Sequence, residues 1–137
     1  MKITLDTNFL ISSSLWENCV AYRVFVKLIK ISAELFTTKE ILAEYCEVLV
    51  RDFGFSENEA GMRVEKLVGV LNIIEPTAKL EIVKEDPDDN IVVECAVSSD
   101  SDYIITYDKH LLKIKEYDGV KIITPEDADK LLDSFEN

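Results

Sequence analysis

Bases are scarce in this 137-residue chain: 15 lysines and arginines face 27 aspartates and glutamates, for a net charge of −12. Proteins that track a long polyanion carry a basic footprint, so the charge balance argues against extended, non-specific nucleic-acid binding. Glycine (four) and proline (three) are too few and too scattered to form a linker. With no internal repeat or low-complexity tract either, the chain reads as one domain over 1–137, long enough to bury a substantial core. No apolar run approaches the roughly 18 residues that span a bilayer, which argues against a membrane partner. The opening Met1-Lys2-Ile3-Thr4-Leu5-Asp6 meets an acid too early for the apolar region of about 7–15 residues that marks a secretory signal. The three cysteines, Cys19, Cys46 and Cys95, are widely spaced and form no CxxC pair. Cys46 and Cys95 fall among apolar residues of predicted helices, so the expectation is buried free thiols in a reducing cytoplasm. The single histidine, His110, reads as a surface position.

What is present is an alternation of strand and helix signals. Lys2–Asp6 alternates like a strand. Val20, Val24, Phe25, Leu28 and Ile31 recur at helical spacing and predict a first helix over about 17–32. Glu34–Thr37 reads as a second strand. Thr37-x-x-Glu40 predicts a capping box for a helix ending near Phe53-Gly54, and Ser56-x-x-Glu59 opens another, weakened by Gly61 and Gly69. Residues 80–83 are ambiguous. Asp86-Pro87 starts a helix through about Ser99. Tyr103–Thr106 is a third strand, Asp108 to Lys113 a short helical turn and Val120–Ile123 a fourth strand. Thr124-Pro125-Glu126-Asp127 caps the final helix. This order predicts a three-layer α/β/α sandwich with a central, mainly parallel sheet, whose ligands bind at the carboxyl ends of the strands.

Four acids converge on that edge. Asp6 closes the first strand, and Asp108 stands two residues past the third. Asp89 lies in the first turn of a crossover helix, which begins at the same edge. Glu44 falls beside Val48 at the margin of its helix's core face, at about 100° per residue, while Glu40 and Glu47 point further outward. Crowding carboxylates without matching bases raises the cost of ionising each one. A hard divalent cation, Mg²⁺ or Mn²⁺, removes that cost. The expectation is a metal-dependent enzyme acting on phosphate, with Asp6, Glu44, Asp89 and Asp108 as its catalytic and metal-binding residues. Taken singly, each acid has a plain alternative as a helix cap, a turn residue or a solvated position. Without these four and Asp88 the chain still carries −7, so a site would have to hold one phosphate locally.

The segment Asp6-Thr7-Asn8-Phe9-Leu10-Ile11-Ser12 resembles the opening motif of PIN-domain ribonucleases. Ile41-Leu42-Ala43-Glu44, Asp86-Pro87-Asp88-Asp89-Asn90 and Tyr103-Ile104-Ile105-Thr106-Tyr107-Asp108 follow in the family's order. The resemblance is nearest to the branch of toxins from toxin–antitoxin pairs. It implies Mg²⁺- or Mn²⁺-dependent cleavage of RNA, an antitoxin protein as partner and a homodimer. Asp6, Glu44, Asp89 and Asp108 match the family's acidic quartet. Asn8 and Thr106 match supporting polar positions, and Asp88 is the alternative to Asp89.

Phosphate contacts are expected from Arg23, Lys27 and Lys30, which share a helix stripe, and from Lys109 and Lys113; solvated helix faces are the alternative. Tyr22, Tyr45 and Tyr107 are candidates for base stacking, with Tyr45 the better core residue. A phosphatase with an aspartyl nucleophile would need a second Asp where Asn8 stands. A phosphoacceptor domain would need paired acids beside Asp6. The remaining alternative is a PIN-like binding module with little activity.

Overall fold

The computed structural model describes residues 1–77, 79–80 and 87–135, without the side chains of Pro87, Asp88 and Asp89. The chain opens with strand β1 (Lys2–Leu5), helices α1 (Thr7–Leu15) and α2 (Val20–Lys30), and strand β2 (Glu34–Thr37). Helices α3 (Lys39–Phe53) and α4 (Glu57–Val68) lead to the two-residue strand β3 (Asn72–Ile73). Then come α5 (Pro87–Ser98), β4 (Tyr103–Ile105), α6 (Lys109–Ile114), β5 (Glu116–Tyr117), β6 (Val120–Ile123) and α7 (Pro125–Asp133).

The strands form one sheet in the order β3-β2-β1-β4-β6-β5, parallel throughout except for β5, which runs antiparallel to β6. Register places Thr4 between Phe36 and Ile104, and Ile3 between Leu35 and Tyr103. Since side chains alternate along a strand, Thr4, Phe36 and Ile104 share one face. There α5 lies over β1, β2 and β4, and the Thr4 hydroxyl meets Cys95 Sγ at 3.7 Å. Ile3, Leu5, Leu35 and Ile105 face the other way and are equally buried, so helices cover both sides, as purely parallel strands require. On the helical layers α1 packs with α2 and α3, α2 with α7, and α3 with α4. This is the mainly parallel α/β/α sandwich expected from the sequence. No helix of the described residues is long and apolar enough to cross a membrane.

Most helix starts follow their sequence signals. Ser56 and Glu59 form the reciprocal capping box, Thr124 accepts from Asp127 N ahead of Pro125, and Gly54 ends α3 at φ +71°, where a Cβ would be strained. Three details differ. Thr37 does not cap α3, because it is the last residue of β2 and wholly buried; Thr38 takes the role, its hydroxyl accepting from Ile41 N at 3.2 Å. Gly69 is the C-cap of α4 and not an interior residue. The largest departure is α1, a full helix in a stretch to which the sequence pattern assigned no element, the first helix being expected over about 17–32. Asp86 and the ambiguous residues 81–83 lie outside the described residues.

Candidate active site at the carboxyl edge of the sheet

Chain order reverses between β1 and β4: from β1 the sheet grows through β2 and β3 on one side, and through β4 and β6 on the other. Such a switch point opens a crevice at the carboxyl ends of its two strands. Asp6 directly follows β1 and Thr106 directly follows β4, and the Asp6 N–H donates to Ile105 O at 3.2 Å, extending the ladder by one residue.

Asp6 is 5% exposed, a rare state for a carboxylate. Its Oδ1 accepts from Thr7 N at 2.7 Å, which makes it the N-cap of α1, and its Oδ2 accepts from the Thr106 hydroxyl at 2.6 Å. Thr106 is fully buried, and the same hydroxyl oxygen accepts from Asp108 N at 2.9 Å. Asp108 in turn caps α6, its Oδ1 accepting from His110 N at 2.8 Å and Leu111 N at 3.2 Å. The result is a chain of bonds, Asp6 to Thr106 to Asp108, across the two strands of the switch point. These three residues are brought together.

The other predicted residues stand differently. Glu44 is half-buried on α3, and its charge helps hold the Arg51 guanidinium above its ordinary range, after the larger effects of Asp52 and Glu47. Among the described residues, no three His, Cys, Asp or Glu side chains are close enough together to hold one ion; Asp6, Glu44 and Asp108 alone do not form such a group. Asn8 is exposed in the first turn of α1, and no described hydrogen bond joins it to Asp6 or Asp108. Asp88 and Asp89 belong to the first turn of α5, but their side chains lie outside the described residues. His110 is exposed, its Nδ1 3.9 Å from Asp108 Oδ1.

Of the expected phosphate stripe on α2, Lys30 is exposed, while Lys27 and Arg23 face α7. Lys27 Nζ bonds Asp129 at 2.8 Å and Asp133 at 2.5 Å, and Arg23 lies 3.6 Å from Asp129, so these bases fasten α2 to α7. Tyr45 is a core residue donating to Ser14 Oγ at 2.9 Å, whereas Tyr22 and Tyr107 are exposed. Cys95 is wholly buried, and desolvation pushes its thiol up to about 12; Cys46 is half-buried. The sequence reading overlooked Thr7. It is 1% exposed with a hydroxyl that has no hydrogen-bond partner among the described residues, a state shared with Thr37 at the end of β2.

A family model described as PIN domain matches residues 2–110. This chain belongs to the PIN domain family. Members are generally nucleases that use divalent metal ions. Solved structures agree on the fold. VapBC2 from Rickettsia felis, bound to a DNA fragment from its promoter, superposes with a TM-score of 0.67 at 16% identity, covering 90% of this chain and 98% of that one. PAE2754 from Pyrobaculum aerophilum gives 0.66 at 16% identity, covering 98% and 96%. VapBC-1 from nontypeable Haemophilus influenzae gives 0.63 at 18% identity, covering 92% and 99%. A comparison with curated proteins finds no match to the sequence.

Proposed function

We propose that this PIN-domain chain is a Mg²⁺- or Mn²⁺-dependent endoribonuclease that hydrolyses RNA phosphodiester bonds, and that it is the toxin of a toxin–antitoxin pair. The supporting observation is the buried, doubly hydrogen-bonded carboxylate of Asp6 at the sheet's switch point, tied through Thr106 to Asp108. Burial of an ionised acid is costly, and a cap alone would be served equally well by an exposed Asp, Ser or Asn. The donors gathered at this edge are all oxygens, which suits a hard divalent ion over a softer one. Asp6 and Asp89 are the proposed primary ligands, with Asp88 as the alternative to Asp89, and with Glu44 and Asp108 beside them.

A bound cation would supply charge neutralisation on the phosphoryl oxygens and a water of lowered pKa. The protein's own part is positioning. Thr106 and Thr7 N–H fix the Asp6 carboxylate, Asp108 is fixed by its capping bonds, and Asn8 stands at the solvent side of the same edge for the substrate. No side-chain nucleophile is required.

The test is incubation of labelled single-stranded RNA with purified protein and Mn²⁺. Cleavage is expected from the unmodified chain and is expected to fall to background in Asp6→Asn and Asp89→Asn, with circular dichroism unchanged. Equal cleavage by all three proteins would remove the acidic site from the reaction. The second reading is a PIN-like binding module; RNA bound but uncut in the same assay would select it. The VapBC neighbours support an antitoxin partner, checked by copurification with the product of an adjacent reading frame; the homodimer that the family resemblance implies is checked by light scattering.

A further inference from the structure

A molecule of charge −12 that is to receive RNA must place its few bases with care. Only two acid-free stretches hold more than one of them: residues 18–33, with Arg23, Lys27 and Lys30, and residues 109–115, with Lys109, Lys113 and Lys115. Residues outside the second stretch together carry −15. The first is largely spent inside the fold, since Asp129 and Asp133 hold Lys27 and Asp129 also faces Arg23. The second is not. Lys109, Lys113 and Lys115 are exposed, and no ion pair among the described residues includes them. Lys121 nearby is different, because it sits across from Glu116 in the β5–β6 ladder, an opposite-charge pairing.

The direction of these lysines is set by the site itself. Asp108 caps α6 and is bonded through its N–H to Thr106, so the start of α6 cannot move independently of Asp6. Leu111, fully buried, anchors the helix. At about 100° per residue, Lys109 and Lys113 lie diametrically opposite Leu111, and at 1.5 Å rise they stand about 6 Å apart along the axis. That is on the scale of the charge spacing of a nucleic-acid strand, about 3.4 Å per phosphate when stacked.

Lys115 adds an independent observation. It follows α6 with φ +66° and ψ −46°, in a γ-turn-like region that a side chain adopts only under strain and glycine adopts freely. Its carbonyl accepts from Ile122 N at 2.9 Å, which builds the conformation into the sheet edge. A lysine kept where glycine fits better points to a use for its ammonium group.

We infer that Lys109, Lys113 and Lys115 form a ridge that binds the phosphates of the substrate strand, leading single-stranded RNA from Asp108 along the β6 side of the sheet. The inference rests on the nuclease reading and deepens it by naming how the substrate is held. Bases are unread by this ridge, so its contribution is independent of RNA sequence.

The experiment uses the triple variant Lys109→Gln/Lys113→Gln/Lys115→Gln, with Lys66→Gln on α4 as the control. Binding of a fluorescein-labelled single-stranded RNA is followed by anisotropy across salt concentrations in an Asp6→Asn background, and cleavage kinetics are measured in the parent. The slope of log affinity against log salt is expected to shrink by about 2, from about 0.7 per phosphate contact. KM is expected to rise with kcat within about twofold, and Lys66→Gln to change neither. Lys115→Gly separates the two roles of that residue: its melting temperature is expected to rise by about 1–3 °C through relief of the turn, while its salt slope falls by about 0.7. An unchanged slope and KM in the triple variant, alongside cleavage by the parent, would overturn the ridge and leave the nuclease standing. A parent that neither binds nor cuts the RNA would overturn both. Retained RNA binding with lost binding of poly-L-glutamate would assign the ridge to an acidic protein surface and overturn it as well.

Discussion

Thr106 donates to Asp6 Oδ2 and accepts from the Asp108 amide, so a valine in its place keeps the shape and strips both bonds. Two polar groups, one of them on a buried carboxylate, would then lack their partner, at a cost of about 1–3 kcal/mol. Thr106→Val is expected to lower the urea midpoint accordingly and to slow RNA cleavage by about 10–100-fold, the usual penalty for losing a group that orients a metal ligand. Thr106→Ser, which keeps the hydroxyl, is expected to recover most of the rate. A valine variant as active as the parent would show that this bond does not position Asp6. The sequence singled out Asp6 as the acid closing a strand and Thr106, through the family resemblance, as a supporting polar position, but not the bond between them. The buried hydroxyl of Thr7 was not legible either, because nothing in a Thr after an Asp distinguishes it from an ordinary first-turn residue.

At the level of elements, α2 and α7 are held by a clasp whose pH dependence has a definite sign. The hydrogen bond from Lys27 is the main reason the Asp129 carboxyl lies below its usual range, and the bonds to Asp129 and then Asp133 raise the Lys27 ammonium above its own. Asp129's contribution is complete above the ordinary carboxylate range and is lost as pH falls through its depressed folded value. Lys27's is complete below the ordinary lysine range and is lost as pH rises through its raised folded value. Partial exposure limits the pair to about 0.5–1 kcal/mol. Lys27→Met is expected to lower unfolding free energy by that amount at pH 7, with the difference narrowing at an acid pH below the ordinary carboxylate range. Denaturant titrations at the two pH values check it, and a gap of the same size at both would assign the effect to the lysine stem's packing. The elements that escaped sequence reading share one cause, which is that neighbours decide them. In α1, Phe9, Leu10 and Ile11 are consecutive and all buried, and the hydroxyls of Ser13 and Ser14 bond back to Leu10 O, so no single apolar stripe marks the helix. β3 and β5 have two residues each, too short for an alternation to register. For β5 a signal did exist. Asp118-Gly119, with φ +49° and +82°, is the two-residue turn that joins hairpin strands.

For the whole molecule, the acid excess turns metal binding into a stability measurement. A cation that binds only the folded chain raises its stability by about 2.7 kcal/mol at one hundred times the dissociation constant. Millimolar Mn²⁺ is therefore expected to raise the melting temperature of the parent, reversibly with chelator, and to leave Asp6→Asn unmoved. An equal rise in both proteins would mean general screening of the −12 charge. The overall architecture was readable because strands and helices alternate with clear caps, and a parallel sheet then determines which strand ends meet. The closure of the four-acid site was not readable to the same degree, since it depends on side-chain directions that a helical wheel leaves open for Glu44.

The two outermost strands, β3 and β5, are each only two residues long. A flanking chain seeking to extend the sheet would find about one pair of main-chain bonds on either flank before the backbone turned away, too little to template its growth. Among the described residues the sheet thus offers little edge along which one copy could pair with the next.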